Sequence, residues 1–192
     1  MPNVQLLSMT VDPLTLIRRA MGECYQRPLG VKTVQKAIEA GHLSVLEHCY
    51  ASFEITVSTS VLLQLTRHRH LSFTVQSSRG CELKTYHKTG IEYIDKLLEE
   101  HMADYAYVYQ EAVKKEDAAY LLPKGAEYTL VITGNFRSWY EYLPKRMCKR
   151  AQQEHRQLAM EIQKQLAKAC PEIFDRDFMK CDTCTERSCS FS

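Results

Sequence analysis

The fold has to accommodate a basic segment, residues 67–79, that directly follows the apolar run 61–65. The segment contains three arginines, two histidines and three serines, and no acidic residue. Guanidinium groups bind phosphate and carboxylate oxygens in pairs, and serine hydroxyls add further donors. Because the apolar run should be buried, it should hold the basic segment against the core. The segment is therefore a candidate anion site, and a solvated basic loop or a weak nucleic-acid patch is the alternative.

Composition narrows the class of protein further. The chain has 192 residues, of which 45% are hydrophobic and 25% charged, which is enough for one domain with its own core. The formal net charge is only +2, so we expect no general nucleic-acid binder. No secretion signal is visible, and no apolar run approaches the ~20 residues that span a membrane. We expect a cytoplasmic protein without membrane contact, whose eight cysteines are mostly reduced.

Hydrophobic periodicity predicts alternating strands and helices along the chain. The predicted strands are residues 4–9, 48–58 and 127–133. The predicted helices are 12–22 with Asp12 as N-cap, 32–40, a helix capped by Thr59 or Ser60 that leads to Arg67, 91–113, a short turn at 117–122, a helix from Asn135 that Pro144 interrupts, and 146–169. Residues 70–90 are predicted to be a long loop with room for a short strand.

The chain is polar beyond about residue 174 and carries three cysteines there, namely Cys181, Cys184 and Cys189. The first two have the spacing of zinc ligands, but a closed zinc site needs four ligands. Cys170 or Cys148 could supply the fourth. The alternative is a loosely ordered tail with reduced cysteines, and we adopt it: we expect no metal site. We also expect the tail from residue 178 onward to be dispensable for chemistry.

The basic segment resembles the signature of one enzyme family. Arg67, His68 and Arg69 are followed, after seven residues, by Ser77, and Arg79 comes two residues later. An Arg-His-Arg triplet, seven residues and then serine is the signature of the flavin-dependent thymidylate synthases. A fixed spacing of this kind is far more specific than a single glycine pattern.

Three further segments resemble this family in order and spacing. The resemblance covers roughly residues 10–175, so we divide the chain into a domain at 1–175 and a cysteine-containing polar tail at 176–192. The segment that begins at Asn135 is similar to the family's Asn-x-Arg-Ser pattern. The segment that begins at Arg146 is similar to its Arg-x-Cys-x-x-Ala-Gln-x-Glu pattern. The segments are Glu47-His48, Asn135-Phe136-Arg137-Ser138 and Arg146-Met147-Cys148-Lys149-Arg150-Ala151-Gln152-Gln153-Glu154.

The resemblance implies a fold and a reaction. Family members are α+β subunits of mixed helix and sheet, and they assemble as homotetramers with active sites shared between subunits. They hold FAD tightly and methylate dUMP to dTMP. Methylenetetrahydrofolate is the carbon donor, and NADPH reduces the flavin that supplies hydride. No cysteine nucleophile is required, and neither nucleic acid nor membrane is a partner.

The resemblance also implies roles for individual residues. Arg146 is expected to be catalytic, at the edge of the uracil ring. We expect it at the start of the last helix, on the same face as Arg150, where the helix dipole adds positive potential. The expected flavin contacts are His48, Arg67, His68, Arg69, Asn135 and Arg137. The expected nucleotide contacts are Gln64, Arg67, Gln76, Ser77, Ser78, Arg79 and Arg146.

The chain departs from the family pattern at two places. Thr74-Val75 replaces a common Asn-Glu, and Ala119 replaces an arginine that reaches the nucleotide phosphate. One charge-assisted hydrogen bond is typically worth ~1.5–3 kcal/mol, so its loss would weaken nucleotide binding unless a lysine compensates. Candidate lysines are Lys124, Lys145 and Lys149. The departures leave open a flavoenzyme with another pyrimidine nucleotide or transferred group, and a non-catalytic nucleic-acid binder is the third possibility.

Overall fold

The computed structural model describes residues 3–112, 114–179, 181, 184–186 and 189–191. Its centre is a four-stranded sheet with the order β1-β2-β4-β3, in which every neighbouring pair is antiparallel. Alternate residues of β2 are buried, which is the pattern of a strand with one face on the core. The strands are β1 (Asn3–Met9), β2 (Tyr50–Ser58), β3 (Leu71–Val75) and β4 (Glu127–Asn135).

Helices account for most of the remaining described residues. None of them, in the ranges given above, combines the length and the apolar character needed to cross a bilayer. The helices are α1 (Pro13–Gly22), α2 (Val31–Glu39), α3 (Thr59–Leu65), α4 (Glu92–Glu111), α5 (Lys115–Ala118), α6 (Phe136–Met147), α7 (Gln153–Ala169) and α8 (Pro171–Phe174). Short 3₁₀ turns occupy Glu23–Tyr25, Ser44–His48 and Ala119–Leu121.

Capping side chains explain where three of the helices begin. Asp12 and Asn135 each accept a hydrogen bond from a backbone N–H in the first turn of α1 and α6, as the sequence predicted. The cap of α3 is Ser58, whose Oγ accepts from Val61 N at 3.2 Å. The sequence predicted Thr59 or Ser60 as this cap, one or two residues later, and that prediction is wrong. Ser58 therefore both ends β2 and starts α3.

The predicted break at Pro144 is wrong, because α6 continues through this residue to Met147. Proline inside a helix costs about 3 kcal/mol relative to alanine. Leu143 and Met147 are both buried in the core, and burial of one such side chain is worth about 1.5–3 kcal/mol. Packing of the last turn therefore outweighs the missing hydrogen bond.

Because α6 continues to Met147, Arg146 does not occupy the position that the sequence predicted. This residue lies in the last turn of α6, not at the start of a helix, and α7 begins only at Gln153. Arg150 lies in the turn between the two helices, so the expected shared helix face is wrong. The partial charge at a helix C-terminus is negative, so the helix dipole adds no positive potential at Arg146.

The main core lies between the sheet and helices α1, α2, α6 and α7. Phe53 of β2 and Trp139 of α6 meet edge to face, with ring centroids 5.2 Å apart. Gly134 of β4 leaves room there, because an added Cβ would lie 2.3 Å from Leu71 Cδ2 and the leucine side chain would have to shift. The absence of a side chain at this position lets β3 and α6 pack closely around β4.

Packing at the C-terminal end extends the core beyond residue 175. Arg176 donates to the hydroxyl of Tyr140 at 2.8 Å. Phe178 is buried, and its ring centroid lies 5.1 Å from that of Tyr140. The first residues of the expected tail are thus part of the body of the domain, whereas Cys181, Cys184 and Cys189 follow this last buried contact.

Candidate functional site

A buried carboxylate fixes the segment that leads to the basic residues. Glu154 of α7 accepts hydrogen bonds from Ser58 N at 2.7 Å and from Ser58 Oγ at 2.6 Å. The same hydroxyl oxygen accepts from Val61 N, so one serine connects α7 to the first turn of α3. Glu154 also lies 3.9 Å from His87, at a second cleft of ≈ 410 Å³. Sequence reasoning assigned no role to Ser58 or His87, and it named Glu154 only as the last residue of a segment that resembles the family.

The residues that follow α3 line a cleft of ≈ 240 Å³ together with one face of α6. Arg67, Arg69 and Lys145 contribute three cationic groups to it. None of the three forms an ion pair with an acidic residue in the described part of the chain. The full lining is Arg67, His68, Arg69, His70, Leu71, Ser138, Glu141, Tyr142 and Lys145. Cationic donors without acidic partners are a suitable lining for an anionic ligand.

Arg146 is held against this cleft by two hydrogen bonds. Its Nε donates to His68 Nε2 at 2.8 Å, and its Nη2 donates to the carbonyl oxygen of Gln64 at 3.2 Å. Burial and, to a smaller extent, the charges of Arg146 and Lys145 lower the pKa of His68 to about 4. His68 is therefore neutral near pH 7, and its other ring nitrogen carries the proton. The guanidinium has five donors, so most of them remain for a ligand.

Two buried polar side chains lie behind His68. The ring of Tyr142 lies 5.0 Å from that of His68 and 5.8 Å from that of His155. His155 Nδ1 is 3.3 Å from Gln64 Oε1, while His155 Nε2 and the Tyr142 hydroxyl have no partner among the described residues. Burial raises the pKa of Tyr142 and lowers that of His155 to about 3, with Arg146 and His68 acting in the same direction on the histidine.

Sequence reasoning missed Tyr142 and His155. Both lie on the buried faces of amphipathic helices, α6 and α7, between apolar neighbours. The periodicity that predicts these helices assigns such positions to the core and gives no sign that polar atoms meet there.

The expected flavin contacts Asn135 and Arg137 already have protein partners. The side-chain oxygen of Asn135 caps α6, which leaves its amide N–H₂ group as a donor. Arg137 donates to Glu47 at 2.6 Å and to Glu141 at 2.9 Å. His48 is exposed in the 3₁₀ turn Ser44–His48, which packs against α6. These residues lie around the start of α6, and Arg137 contacts Glu141, which lines the cleft.

The remaining nucleotide contacts lie at the other end of β3. The side chain and backbone of Gln76 pair with Thr129 of β4, whereas Leu71 pairs with Gly134. Five residues along β4 correspond to about 16 Å. The turn after Gln76 is closed by Gly80 N, which donates to Ser77 O at 3.1 Å. The chain therefore brings Arg67, His68, Arg69, Gln64 and Arg146 together, and it separates them from Gln76, Ser77, Ser78 and Arg79.

Two of the three departures from the family pattern, Thr74 and Val75, directly precede this second group in the chain. Thr74 is exposed and Val75 half-buried at the end of β3, and Ala119 begins the 3₁₀ turn Ala119–Leu121. Of the three candidate lysines, Lys145 lines the cleft of Arg67 and Arg69 in the described part of the chain. It is placed to add positive charge to this cleft.

Comparison with known proteins gives the family of this chain. Residues 5–172 match the family model described as "Thymidylate synthase complementing protein". The chain belongs to this family. The flavin-dependent thymidylate synthase of Sulfurisphaera tokodaii is 34% identical over 152 residues, which are 73% of this chain and 59% of that protein. That of Mycobacteroides abscessus is 32% identical over 183 residues, 82% of this chain and 70% of that protein.

A solved structure of the family has the same fold. Thymidylate synthase X from Helicobacter pylori, crystallised with FAD and dUMP, superposes with a TM-score of 0.82 at 22% identity, over 91% of this chain and 98% of that chain. The expected α+β subunit of mixed helix and sheet is thereby confirmed. The chain spans only 58–59% of the length of the Sulfurisphaera tokodaii and Saccharolobus solfataricus proteins.

The buried histidine predicts a dependence of stability on pH. The pKa of His155 is about 3 in the folded chain against 6.5 for an ordinary histidine, so the unfolded chain binds one more proton between these values. Acid therefore favours unfolding in this window, by at most about 1.4 kcal/mol per pH unit. We expect His155→Gln to reduce the slope of unfolding free energy against pH, measured by urea denaturation from pH 7 to 4.5.

A matched control separates this effect from general acid sensitivity. His101→Gln changes an exposed histidine on α4 and should keep the wild-type slope. Equal slopes for the wild type and both variants would contradict the assignment of His155 as a buried neutral histidine.

Proposed function

We propose that the chain is a subunit of a flavin-dependent thymidylate synthase that methylates dUMP to dTMP, with methylenetetrahydrofolate as carbon donor and NADPH as reductant. The observation that carries this proposal is the cationic cleft of Arg67 and Arg69, against which Arg146 is fixed by His68. It lies where the family signature occurs in the chain. The Sulfurisphaera tokodaii relative is named a flavin-dependent thymidylate synthase, and the Helicobacter pylori structure contains FAD and dUMP. Both facts support the same assignment.

The residues at the cleft fit FAD by the chemistry of their donors. Arg67 and Arg69 offer guanidinium groups that have no acidic partner among the described residues and suit a pyrophosphate, and Asn135 offers an amide N–H₂ group. Arg137, His68 and His48 would complete the set. Bound FAD would supply the hydride that completes the new methyl group, after reduction by NADPH.

The size of the cleft supports a site shared between subunits. Its ≈ 240 Å³ is below the roughly 300–1,000 Å³ of pockets that enclose one drug-sized ligand, and the site must hold a flavin, a nucleotide and a folate. The nucleotide contacts Gln76 to Arg79 lie about 16 Å away along the sheet in the same chain. A second copy of the chain would bring its own Ser77, Ser78 and Arg79 to the cleft, as in the homotetramer expected from the resemblance.

Arg146 is proposed to act on the uracil ring. C5 of uracil must become electron-rich before it bonds to the carbon donor. A guanidinium at the N3 edge stabilises negative charge there and stays protonated while it does so. The hydrogen bonds to His68 and Gln64 fix its plane, so little reorganisation is needed. Lys145 and the arginines of the cleft add positive potential, in place of the helix dipole.

The alternatives have less support. A different nucleotide or transferred group was suggested by Thr74, Val75 and Ala119, but the relatives compared above carry the name of thymidylate synthases. A nucleic-acid binder would not need Arg146 fixed by a neutral histidine. The cytoplasmic location expected from the sequence stays a prediction.

Flavin binding and turnover provide the first test. The purified chain should absorb near ~450 nm as a flavoprotein and form dTMP from dUMP with methylenetetrahydrofolate and NADPH. Arg69→Ala should stay folded and lose this absorbance, because it removes a cation from the cleft. Arg79→Ala should stay yellow, because this residue is assigned to the nucleotide. Colourless wild-type protein that forms no dTMP with added FAD would overturn the proposal.

Mixed oligomers test whether the site is shared. Arg69→Ala and Arg79→Ala chains should be inactive alone. If each site combines these residues from two copies, co-expressed chains should regain about a quarter of wild-type activity, since that share of sites has both arginines. Mixing Arg69→Ala with Arg67→Ala, which affects the same half of the site, should restore nothing. No recovery in the first mixture would indicate sites built from single chains.

The role of Arg146 is tested by kinetics. Arg146→Lys keeps the charge but cannot make both hydrogen bonds to His68 and Gln64, so kcat should fall by about 10² or more at saturating dUMP. Flavin absorbance and flavin reduction by NADPH should persist. Arg19→Lys, on the exposed surface of α1, serves as control. A kcat of Arg146→Ala within about twofold of wild type would remove Arg146 from the mechanism.

A further inference from the structure

Four cysteines line one small cavity at the end of α6, which we call the cysteine cavity. Its volume is ≈ 90 Å³. One thiol comes from the body of the domain, directly after α6, and the other three come from the C-terminal tail. The lining residues are Pro144, Cys148, Lys149, Cys181, Cys184, Cys189 and Phe191. Thiols from two distant parts of the sequence therefore converge on the same small space.

Local backbone structure supports this convergence. Cys184 N donates to Cys181 O at 3.3 Å, so the two cysteines belong to one turn. Cys189 N donates to Glu186 O at 3.3 Å. Glu186 in turn lies 3.6 Å from the guanidinium of Arg150, in the turn that follows Cys148. The tail is thus attached to the end of α6 by an ion pair beside the cavity.

The structure distinguishes between the two candidates for a fourth ligand. Cys170 is buried between α7 and α8, and desolvation raises the pKa of its thiol to about 12. Metal ions bind the thiolate, so this cysteine is unsuited to the role. Cys148 is half-buried and lines the same cavity as the three tail cysteines.

We propose that the cysteine cavity binds one Zn²⁺ ion through its four thiolates, in a tetrahedral site. Four sulfur ligands with a Cys-x₂-Cys turn are the preferred set of structural zinc, and four protein ligands leave no open position for chemistry. Binding releases the thiol protons, and no sulfur is oxidised or reduced. The tetrathiolate complex carries two negative charges, which Lys149 at the cavity wall partly offsets.

Zinc binding would draw the thiols closer together. As placed, no three His, Cys, Asp or Glu side chains of the described residues already meet at a point that could hold a metal. Zn–S bonds are about 2.3 Å long, so the tail has to close on Cys148. Metal binding and ordering of a segment are commonly coupled in this way.

The proposal gives the tail a structural role. Cys148 follows Arg146 by two residues, so a zinc tetrathiolate there would fix the last turn of α6 and the guanidinium it carries. This inference replaces the expectation of no metal site, whereas the expectation that the tail is dispensable for chemistry stays a prediction. Chemistry at the cleft would still need no zinc, because the cavity supplies no open coordination position.

The test is elemental analysis of the full chain, purified with a thiol reductant after expression in zinc-supplemented medium. We expect about one zinc per chain, and cobalt substitution should give the visible bands of a tetrahedral thiolate site. Cys181→Ser/Cys184→Ser should lose the metal and lower the melting temperature. Cys24→Ser/Cys81→Ser, which changes two exposed cysteines outside the cavity, should keep about one zinc.

Counting the reactive thiols of the wild type tests the proposal even if Cys181→Ser/Cys184→Ser does not fold. In the wild type, a chelator should release the zinc and expose about four further thiols to a thiol reagent. Zinc far below one per chain, retention of zinc by Cys181→Ser/Cys184→Ser, or disulfides among the cavity cysteines in the reduced preparation would each overturn the proposal. Each of these results is independent of whether the chain binds FAD or forms dTMP.

Discussion

The carboxylate of Glu154 is the contact on which the site depends. It ties α7 to Ser58, and Ser58 is at once the end of β2 and the cap of α3. A seven-residue helix has little stability by itself, so its position must come from such contacts. Without the hydroxyl of Ser58, the buried carboxylate would keep only the backbone N–H of this residue as a donor, and a lost hydrogen bond to a buried charge costs more than an ordinary one. The placement of Arg67 to Arg69 thus originates in a residue of the C-terminal half.

Much of the fold follows from local chemistry. Alternation identified three of the strands, and Asp12 and Asn135 marked helix starts because their side chains satisfy exposed N–H groups. The apolar run 61–65 was expected to be buried; Val61 and Leu65 are, whereas Leu63 is exposed. The fixed spacing of the signature indicated the family before any tertiary contact was known.

What sequence could not provide depends on contacts between distant residues. Proline at position 144 reads as a helix break, and only the packing around Leu143 and Met147 shows why the helix persists. Arg146 was therefore predicted at the start of the last helix, but it lies in the last turn of α6. Likewise, residues 67–79 form one block in sequence, but β3 divides them between opposite ends of the sheet, and no local pattern predicts that separation.

The contact between Ser58 and Glu154 also has a consequence for biosynthesis. These residues are 96 positions apart, so Ser58 leaves the ribosome long before its carboxylate partner is made. Contacts over such separations are formed late, because a long loop must close first. The basic signature is thus translated early and reaches its working shape only after α7 has emerged. A nascent chain stalled before residue 154 would carry the whole motif and still lack the shape of the site.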